Sequence, residues 1–404
     1  MPASRTGALA GLNSPFDPFG LPFPALEARV IALGGASLHA LRWFRSLHRS
    51  GNPDPGIVPE LGRQLTARLQ EAIVPSLPQV EQRQESADGT VKLGLVLADG
   101  ERIESVLIPD GERLTLCLSS QAGCAVGCGF CATARMGLRR NLSAGEIVGQ
   151  VVRAREQALL STPSGERPAG RQITNVVFMG MGEPLQNWPA VRDAVDLLNA
   201  PNAYNLSRHK ITISTSGVLP RLEAVVRQAR TGLAFSLHAT RDGDRSELIP
   251  LNRIYPLAAV MAELKRLALH HGARIMIQYL LLAGRNDTPE HARELWEWVR
   301  DWPCHVNLLE YNPIEGLDHA DPLPSGVGNG AGRLPFGCSP FVRPDRETTG
   351  RFKAELLERG VRVYHRESRG RDIAGACGQL ANAARIQPAR TDTARNYLVP
   401  NTPA

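Results

Sequence analysis

Two periodicities divide the chain. From about Ala25 to Leu77 apolar residues recur at helical spacing: Leu38, Leu41, Trp43, Phe44 and Leu47 form one stripe, and Leu61, Leu65 and Leu69 another. The turn-forming run Gly51-Asn-Pro-Asp-Pro-Gly56 separates them, and a small helical domain ending near Pro78 is expected. From Val91 the period falls to two. Val91, Leu93, Leu95 and Leu97 alternate, Asp99-Gly100 makes a turn, and Ile103, Val106 and Ile108 lead on to Pro109, which predicts a hairpin. A further strand, Leu114 to Leu118, runs directly into a cysteine-rich loop.

Beyond that loop the two patterns take turns. Strands are predicted at Asn175 to Met179, Lys210 to Ser214, Leu233 to Leu237, Arg274 to Leu282 and His305 to Glu310. Amphipathic helices are predicted between and around them at Ser143 to Leu160, Val191 to Leu198, Leu219 to Ala229, Leu257 to His270 and Pro289 to Asp301. Strands separated by helices imply an α/β fold with a parallel sheet and crossover helices. Such sheets place their chemistry at the carboxyl ends of the strands. Two Gly- and Pro-rich intervals, Pro163 to Arg171 and Leu317 to Gly337, read as surface loops, the second long enough to be an insertion or a lid. The expected organisation is a helical accessory domain over 1–80, a β-hairpin linker over 81–110, the main domain over 111–380 and a basic, mobile tail over 381–404.

With 43% hydrophobic and 21% charged residues in 404, the chain can bury a large core. No apolar core of signal-peptide length develops near the start, and the longest apolar runs are far short of a membrane span, so a cytoplasmic protein is expected. The net charge of +6 and pI near 9.1 permit a polyanionic partner without demonstrating one. The excess is uneven: residues 350–404 hold ten Arg or Lys against five Asp or Glu. A solvated basic surface explains that charge as well as RNA does.

Seven cysteines in a large chain of this kind argue against a disulfide scaffold. Cys124, Cys128 and Cys131 lie within eight residues, which is ligand spacing. Zinc usually takes a fourth protein ligand, commonly from a second C-x-x-C pair, and no such pair is present. A four-iron cluster held by three thiolates would leave one iron open to another ligand. A zinc knuckle is the competing reading of the same residues.

The surrounding residues make the pattern specific. Ser119-Ser-Gln-Ala-Gly-Cys-Ala-Val-Gly-Cys-Gly-Phe-Cys-Ala-Thr133, followed by Gly137 and Arg140-Asn-Leu142, resembles the radical S-adenosylmethionine (SAM) methyltransferases that modify adenosine in 23S ribosomal RNA and, in some members, in tRNA. Further similar segments follow in order: Asp88-Gly-Thr-x-Lys92, Ile103 to Pro109, Met179-Gly-Met-Gly-Glu-Pro184, Ser214-Thr-Ser-Gly217, Ser236-Leu-His-Ala239, Asn312-Pro313 and Asp372 to Leu380. They span about Ala87 to Leu380.

The resemblance implies a partial (β/α) barrel, a [4Fe-4S] cluster on Cys124, Cys128 and Cys131, and two SAM molecules per turnover. It places Gly182, Glu183, Ser214, Ser236, Leu237, His238 and Asn312 at the SAM site, Glu183 toward the amino group and Asn312 toward the adenosine portion. Phe130 is read either as packing on the cofactor adenine or as a loop anchor.

Carbon 2 of adenine is electron-poor and does not attack the methyl of SAM directly, so a radical route is needed. The resemblance makes Cys377 the methyl-carrying thiol, Cys117 the thiol that resolves a protein–RNA adduct by forming a disulfide, and Glu104 the base that takes the ring proton. It also implies a one-electron reductant such as flavodoxin or ferredoxin, and a monomer is expected. Cys304 and Cys338 are read as structural. Arg139, Arg140, Arg366, Arg369 and Arg371 flank the reactive segments and are read as phosphate-facing, while Arg42, Arg45, Arg49, Arg63 and Arg68 serve either RNA docking or packing.

Three departures from the family pattern stand out: Gln278 in place of Glu, Glu310 in place of Pro, and the 317–337 insertion. All three are expected toward the substrate side. A related branch modifies carbon 8 of the same adenosine, other radical SAM enzymes act on peptides or metabolites, and a zinc or RNA-binding module would be no enzyme at all.

Overall fold

The computed structural model describes residues 14–160, 172–314 and 341–381. The predicted 163–171 and 317–337 loops, Cys338 and the tail beyond Ala381 lie outside the described residues.

Three helices, α1 (Phe23–Ala32), α2 (Ser37–Ser50) and α3 (Gly62–Ala72), form the N-terminal region. Their apolar stripes bury Leu26, Val30, Trp43, Phe44, Leu47 and Leu69 completely. His48 on α2 sits edge-on to Phe44 at 4.5 Å and to Tyr204 at 5.3 Å, so this region is packed onto the main domain in one continuous apolar cluster. Burial, with Arg155 nearby, pushes the His48 pKa down to about 3, so the ring is a neutral core group.

Among the described residues ten strands form one mixed sheet in the order β1-β2-β3-β4-β7-β8-β9-β10-β11-β12. β1 (Gln79–Glu85), β2 (Val91–Val96), β3 (Arg102–Asp110) and β4 (Arg113–Cys117) pair antiparallel. From β4 onward, β7 (Asn175–Phe178), β8 (Ile211–Thr215), β9 (Gly232–Ser236), β10 (Ile275–Leu281), β11 (Cys304–Glu310) and β12 (Val363–His365) join in parallel. The predicted hairpin is thus β2–β3, continuous with the main sheet. Each parallel strand adds beside the one before it, so there is no point at which the strand order reverses. A short pair, β5 (Gln121–Gly123) and β6 (Leu138–Asn141), stands apart.

Helices α4 (Ala132–Arg135), α5 (Ala144–Leu160), α6 (Trp188–Asn199), α7 (Leu222–Ala224), α8 (Asp242–Leu248), α9 (Leu257–His271), α10 (Pro289–Val299) and α11 (Arg346–Glu358) complete the main domain. α5 starts on a reciprocal cap: the Ser143 hydroxyl accepts from the Glu146 backbone at 3.1 Å, and the Glu146 carboxylate accepts from the Ser143 backbone at 2.8 Å. No helix among the described residues is long and apolar enough to cross a membrane.

Candidate active site

The chain leaves β4 at Cys117 and turns at once into β5. β5 and β6 pair Gln121 with Asn141 and Gly123 with Leu138, so they close the cysteine loop like the neck of a bag. At the neck, the Cys124 N–H donates to the Gly137 carbonyl at 3.1 Å. Gly123 has φ +76°, and a Cβ there would lie 1.8 Å from the Gly137 oxygen, so no other residue fits. The far side of the loop is tied by Gly129 N–H to the Leu248 carbonyl (3.0 Å) and Ala132 N–H to the Gly378 carbonyl (2.7 Å).

Cys124, Cys128 and Cys131 line one cavity of about 140 Å³. Among the described residues no three Cys, His, Asp or Glu side chains converge as the ligands of a single ion do. The thiols are nonetheless close enough for the charges of Cys128 and Cys131 to act on Cys124. That arrangement fits donors to different irons of one cluster better than donors sharing one zinc. Burial pushes all three thiol pKa values up, so they become thiolates only with cationic metal to offset the lost hydration.

The strand ends supply the opposite wall: Glu183 after β7, Ser214 on β8, Ser236 on β9 and His238 just past it. The Glu183 carboxylate is buried and accepts Leu185 N–H at 3.1 Å and Ser216 N–H at 2.7 Å. Burial raises its pKa and these hydrogen bonds oppose that rise. His238 accepts Leu280 N–H at Nδ1 (3.0 Å), and burial lowers its pKa to about 3. The ring is therefore neutral, with its proton on Nε2. Phe130 lines the same cavity, edge-on to His238 at 5.0 Å.

Gly182 lines the cavity, and a Cβ on it would also strike the Gln121 side chain at 2.5 Å. Three other expectations change here. Leu237 is wholly buried and Asn312 is 4% exposed, and neither lines the cavity. The Asn312 amide is engaged, accepting from Arg343 (2.7 Å) and donating to Ser368 (3.0 Å). Gln278 was expected toward the substrate, yet it shares the cavity wall with the cluster cysteines and reaches the Ser214 hydroxyl at 3.5 Å. Glu310 pairs with His365 at 3.2 Å and Arg343 at 3.7 Å.

Glu104, Cys117 and Cys377 gather beside this cavity. Val106 is the register partner of Cys117 on β3, which puts Glu104 near that thiol's end of β4. Cys377 lines the cavity and is exposed to it, while Cys117 is buried. Burial raises the Cys117 pKa, and the charge of Cys377 adds to that rise, so the two thiols are neighbours despite their distance in sequence. Both are free thiols in the structure; the implied disulfide is absent. Burial raises the Glu104 pKa to about 7 against the pull of Lys92, whose Nζ lies 3.6 Å from Oε1.

Side chains hold the Cys377 segment. Asp372 accepts from the Ser86 hydroxyl (2.5 Å) and Ala87 N–H (3.1 Å), and Asp88 accepts Gly370 N–H at 2.9 Å. Lys92 also donates to the Ala374 carbonyl at 3.4 Å. The Asp88-Gly-Thr-x-Lys92 and Asp372 segments, which had no assigned role, are thus the two halves of one clasp.

The arginines divide. Arg140 was read as phosphate-facing, but it pairs with Asp99 (2.5 Å) and Glu146 (2.7 Å) and braces β6. Arg369 pairs with Asp110 at 3.6 Å. Arg42 pairs with Glu60 and Arg68 bonds the Leu33 carbonyl at 3.2 Å within the N-terminal region, while Arg45 bonds Asn202 of the main domain at 2.8 Å.

A residue the sequence did not single out is Arg245. It is wholly buried, donating to the carbonyls of Leu237 (3.0 Å), Ser236 (2.9 Å) and Ser216 (2.8 Å) and to Asn252 (2.6 Å). It stacks over Phe235, it fixes the strand-end loops, and its charge partly offsets the rise that burial causes in the Cys128 pKa. Cys304 lies away from this site, its Sγ 3.9 Å from the Val299 carbonyl.

A three-thiol loop facing a ring of strand-end polar groups defines a radical SAM enzyme, and the radical SAM superfamily model matches residues 118–299. A dual-specificity RNA methyltransferase RlmN of Anaeromyxobacter dehalogenans is 40% identical over 361 residues, covering 89% of this chain and 90% of that protein. The RlmN of Marinobacter nauticus is 38% identical over 395 residues, 97% of this chain and 98% of that one. The crystal structure of a radical SAM methyltransferase from Sphaerobacter thermophilus superposes with TM-score 0.79 at 38% identity, covering 92% of this chain and all of that one. The chain belongs to the RlmN family of SAM-dependent RNA methyltransferases.

Proposed function

We propose that this enzyme methylates carbon 2 of an adenosine in 23S ribosomal RNA and in tRNA, through a methyl group carried on Cys377. Cys124, Cys128 and Cys131 would hold one [4Fe-4S] cluster, and Glu183, Ser214, Ser236 and His238 would hold SAM. The cluster and SAM, when bound and fed an electron by a reductant such as flavodoxin or ferredoxin, supply a 5'-deoxyadenosyl radical. The Cys377 sulfur would take its methyl group from one SAM, leaving S-adenosylhomocysteine, and a second SAM would be the radical source, so two would be consumed per product.

The observation that carries the reading is the grouping of a cavity-exposed thiol, a buried second thiol beside it and a buried carboxylate at the edge of the three-cysteine cavity. The 5'-deoxyadenosyl radical would take a hydrogen atom from the Cys377 S-methyl, and the resulting CH2 radical would bond to carbon 2 of the adenine, with the surplus electron returning to the cluster. Glu104, with its pKa near 7, takes the proton from carbon 2. Cys117 then attacks the Cys377 sulfur: the S–S bond forms, the S–C bond breaks, and the electron pair stays with the carbon left on the base, which takes up a proton. An external thiol reductant resets the disulfide. The parallel strands would curl into a partial barrel, which the cavity supports: Phe178, Ser214, Ser236, Gln278 and Leu309, from five successive strands, all line it, and a flat sheet would spread them.

Mass spectrometry of digested RNA from cells with and without the protein tests this directly. The expected product is 2-methyladenosine; 8-methyladenosine would move the enzyme to the related branch, and neither would overturn methylation. Cys117→Ala should leave a covalent protein–RNA adduct. Turnover of that variant at the normal rate with no adduct would remove Cys117 from the mechanism.

A further inference from the structure

A groove of about 1000 Å³ opens beside the edge strand β12. Arg362, Tyr364 and Arg366 alternate along this strand and so face one side, and all three are exposed. Tyr364 is 51% exposed, unusual for an aromatic in a concave surface. Its register partner on β11 is Asn307, which is 5% exposed and whose amide oxygen has no hydrogen-bond partner among the described residues. Arg113 and His305 complete the wall, His305 edge-on to Tyr364 at 5.4 Å, and no carboxylate among the described residues lines the groove.

One edge of the groove, at Arg366, lies near the reactive thiol. Arg366 N–H donates to the Leu308 carbonyl at 3.3 Å, and the next residue, Leu309, lines the cluster cavity. Arg366 is also close enough to Cys377 for its charge to act on it.

Building on the reading as an RNA methyltransferase, we propose that this groove holds the RNA strand flanking the target adenosine. Arg113, Arg362 and Arg366 contact phosphates, Tyr364 stacks one base, and the recessed Asn307 oxygen accepts from a base amino group. An acidic protein such as the reductant would satisfy the arginines but would leave the recessed Asn307 oxygen and the open Tyr364 face unused. A strand of RNA uses all of them at once.

The test uses the full, anaerobically iron-loaded enzyme with two probes, a transcribed tRNA and a 23S rRNA hairpin fragment. Tyr364→Ala should weaken binding of both about 5- to 100-fold, with Tyr364→Phe restoring it. Arg362→Gln should reduce the slope of log affinity against log salt by about 0.7 to 0.9. In both variants KM for RNA should rise while RNA-independent SAM cleavage and iron content hold. Unchanged RNA affinity in Tyr364→Ala and Arg362→Gln overturns the proposal, as does a defect confined to turnover driven by flavodoxin, which would assign the groove to the reductant. Groove-dependent RNA binding with no methyladenosine product would leave this inference standing while the methylation reading fell.

Discussion

The two halves of the reaction centre are held in different ways. The cluster loop is fixed by main chain: a β5–β6 neck, a glycine that touches a carbonyl and backbone hydrogen bonds on both sides. The Cys377 segment has only a short 3-10 turn, Arg371–Ile373; apart from the shared main-chain bond from Ala132 N–H to the Gly378 carbonyl, it is held mainly by side chains, those of Asp88, Asp372, Lys92, Thr133 and Gln379. The difference matches what each must do. A cluster needs its thiols immobile, because ligand spacing sets what binds. A thiol that reaches first SAM, then RNA, then Cys117 must be placed accurately yet able to shift, and a few side-chain hydrogen bonds permit that.

Breaking the rigid half should have the larger effect. Gly123→Ala forces a Cβ into the Gly137 carbonyl at a positive φ, at a cost of about 3 kcal/mol or more. The purified protein should lose its iron and its broad visible absorption. Full iron content would show that the neck is softer than its geometry says.

Loosening the other half should separate two activities. With Asp88→Ala and Asp372→Ala together, the three cluster cysteines keep their loop but the Cys377 segment loses its clasp. Methyl transfer should fall on the order of 10- to 100-fold, iron content should stay, and 5'-deoxyadenosine released per methylated adenosine should rise. Equal losses of SAM cleavage and methylation would mean that the clasp supports the whole domain.

Much of this was readable in the chain because the parallel strands are apolar runs between amphipathic helices; those five strands and the helices beside them lie within a few residues of expectation. β1 was missed because Gln79–Glu85 is almost wholly polar, an edge strand paired on one side only, and β12 because three residues carry no period. The cysteines were legible from local spacing. The clasp was not: Asp88 and Asp372 were visible as motifs, but only the fold shows that each meets the other's segment. Arg245 sits in a run, Asp242 to Glu247, that reads as solvated surface, and its burial depends on three carbonyls from separate loops. Asn312 shows the converse. Its motif was apparent and its partners Arg343 and Ser368 were not.

The smallest expected effect tests where the halves meet. Lys92 touches both Glu104 on β3 and the Ala374 carbonyl of the Cys377 segment. Glu104 accepts a proton only when ionised, so the step that uses it should quicken as pH rises through about 7 and slow below it. Lys92 favours the carboxylate and holds that midpoint down. Lys92→Met should therefore move the rise to higher pH by about one unit or more, whereas Lys92→Arg should keep it nearly in place. The measurement is the pH profile of single-turnover methylation with the cluster loaded. A Lys92→Met enzyme that is merely slower at every pH, with the midpoint unmoved, would mean that Lys92 acts on the Cys377 segment alone and that Glu104 is not the base whose ionisation limits the rate.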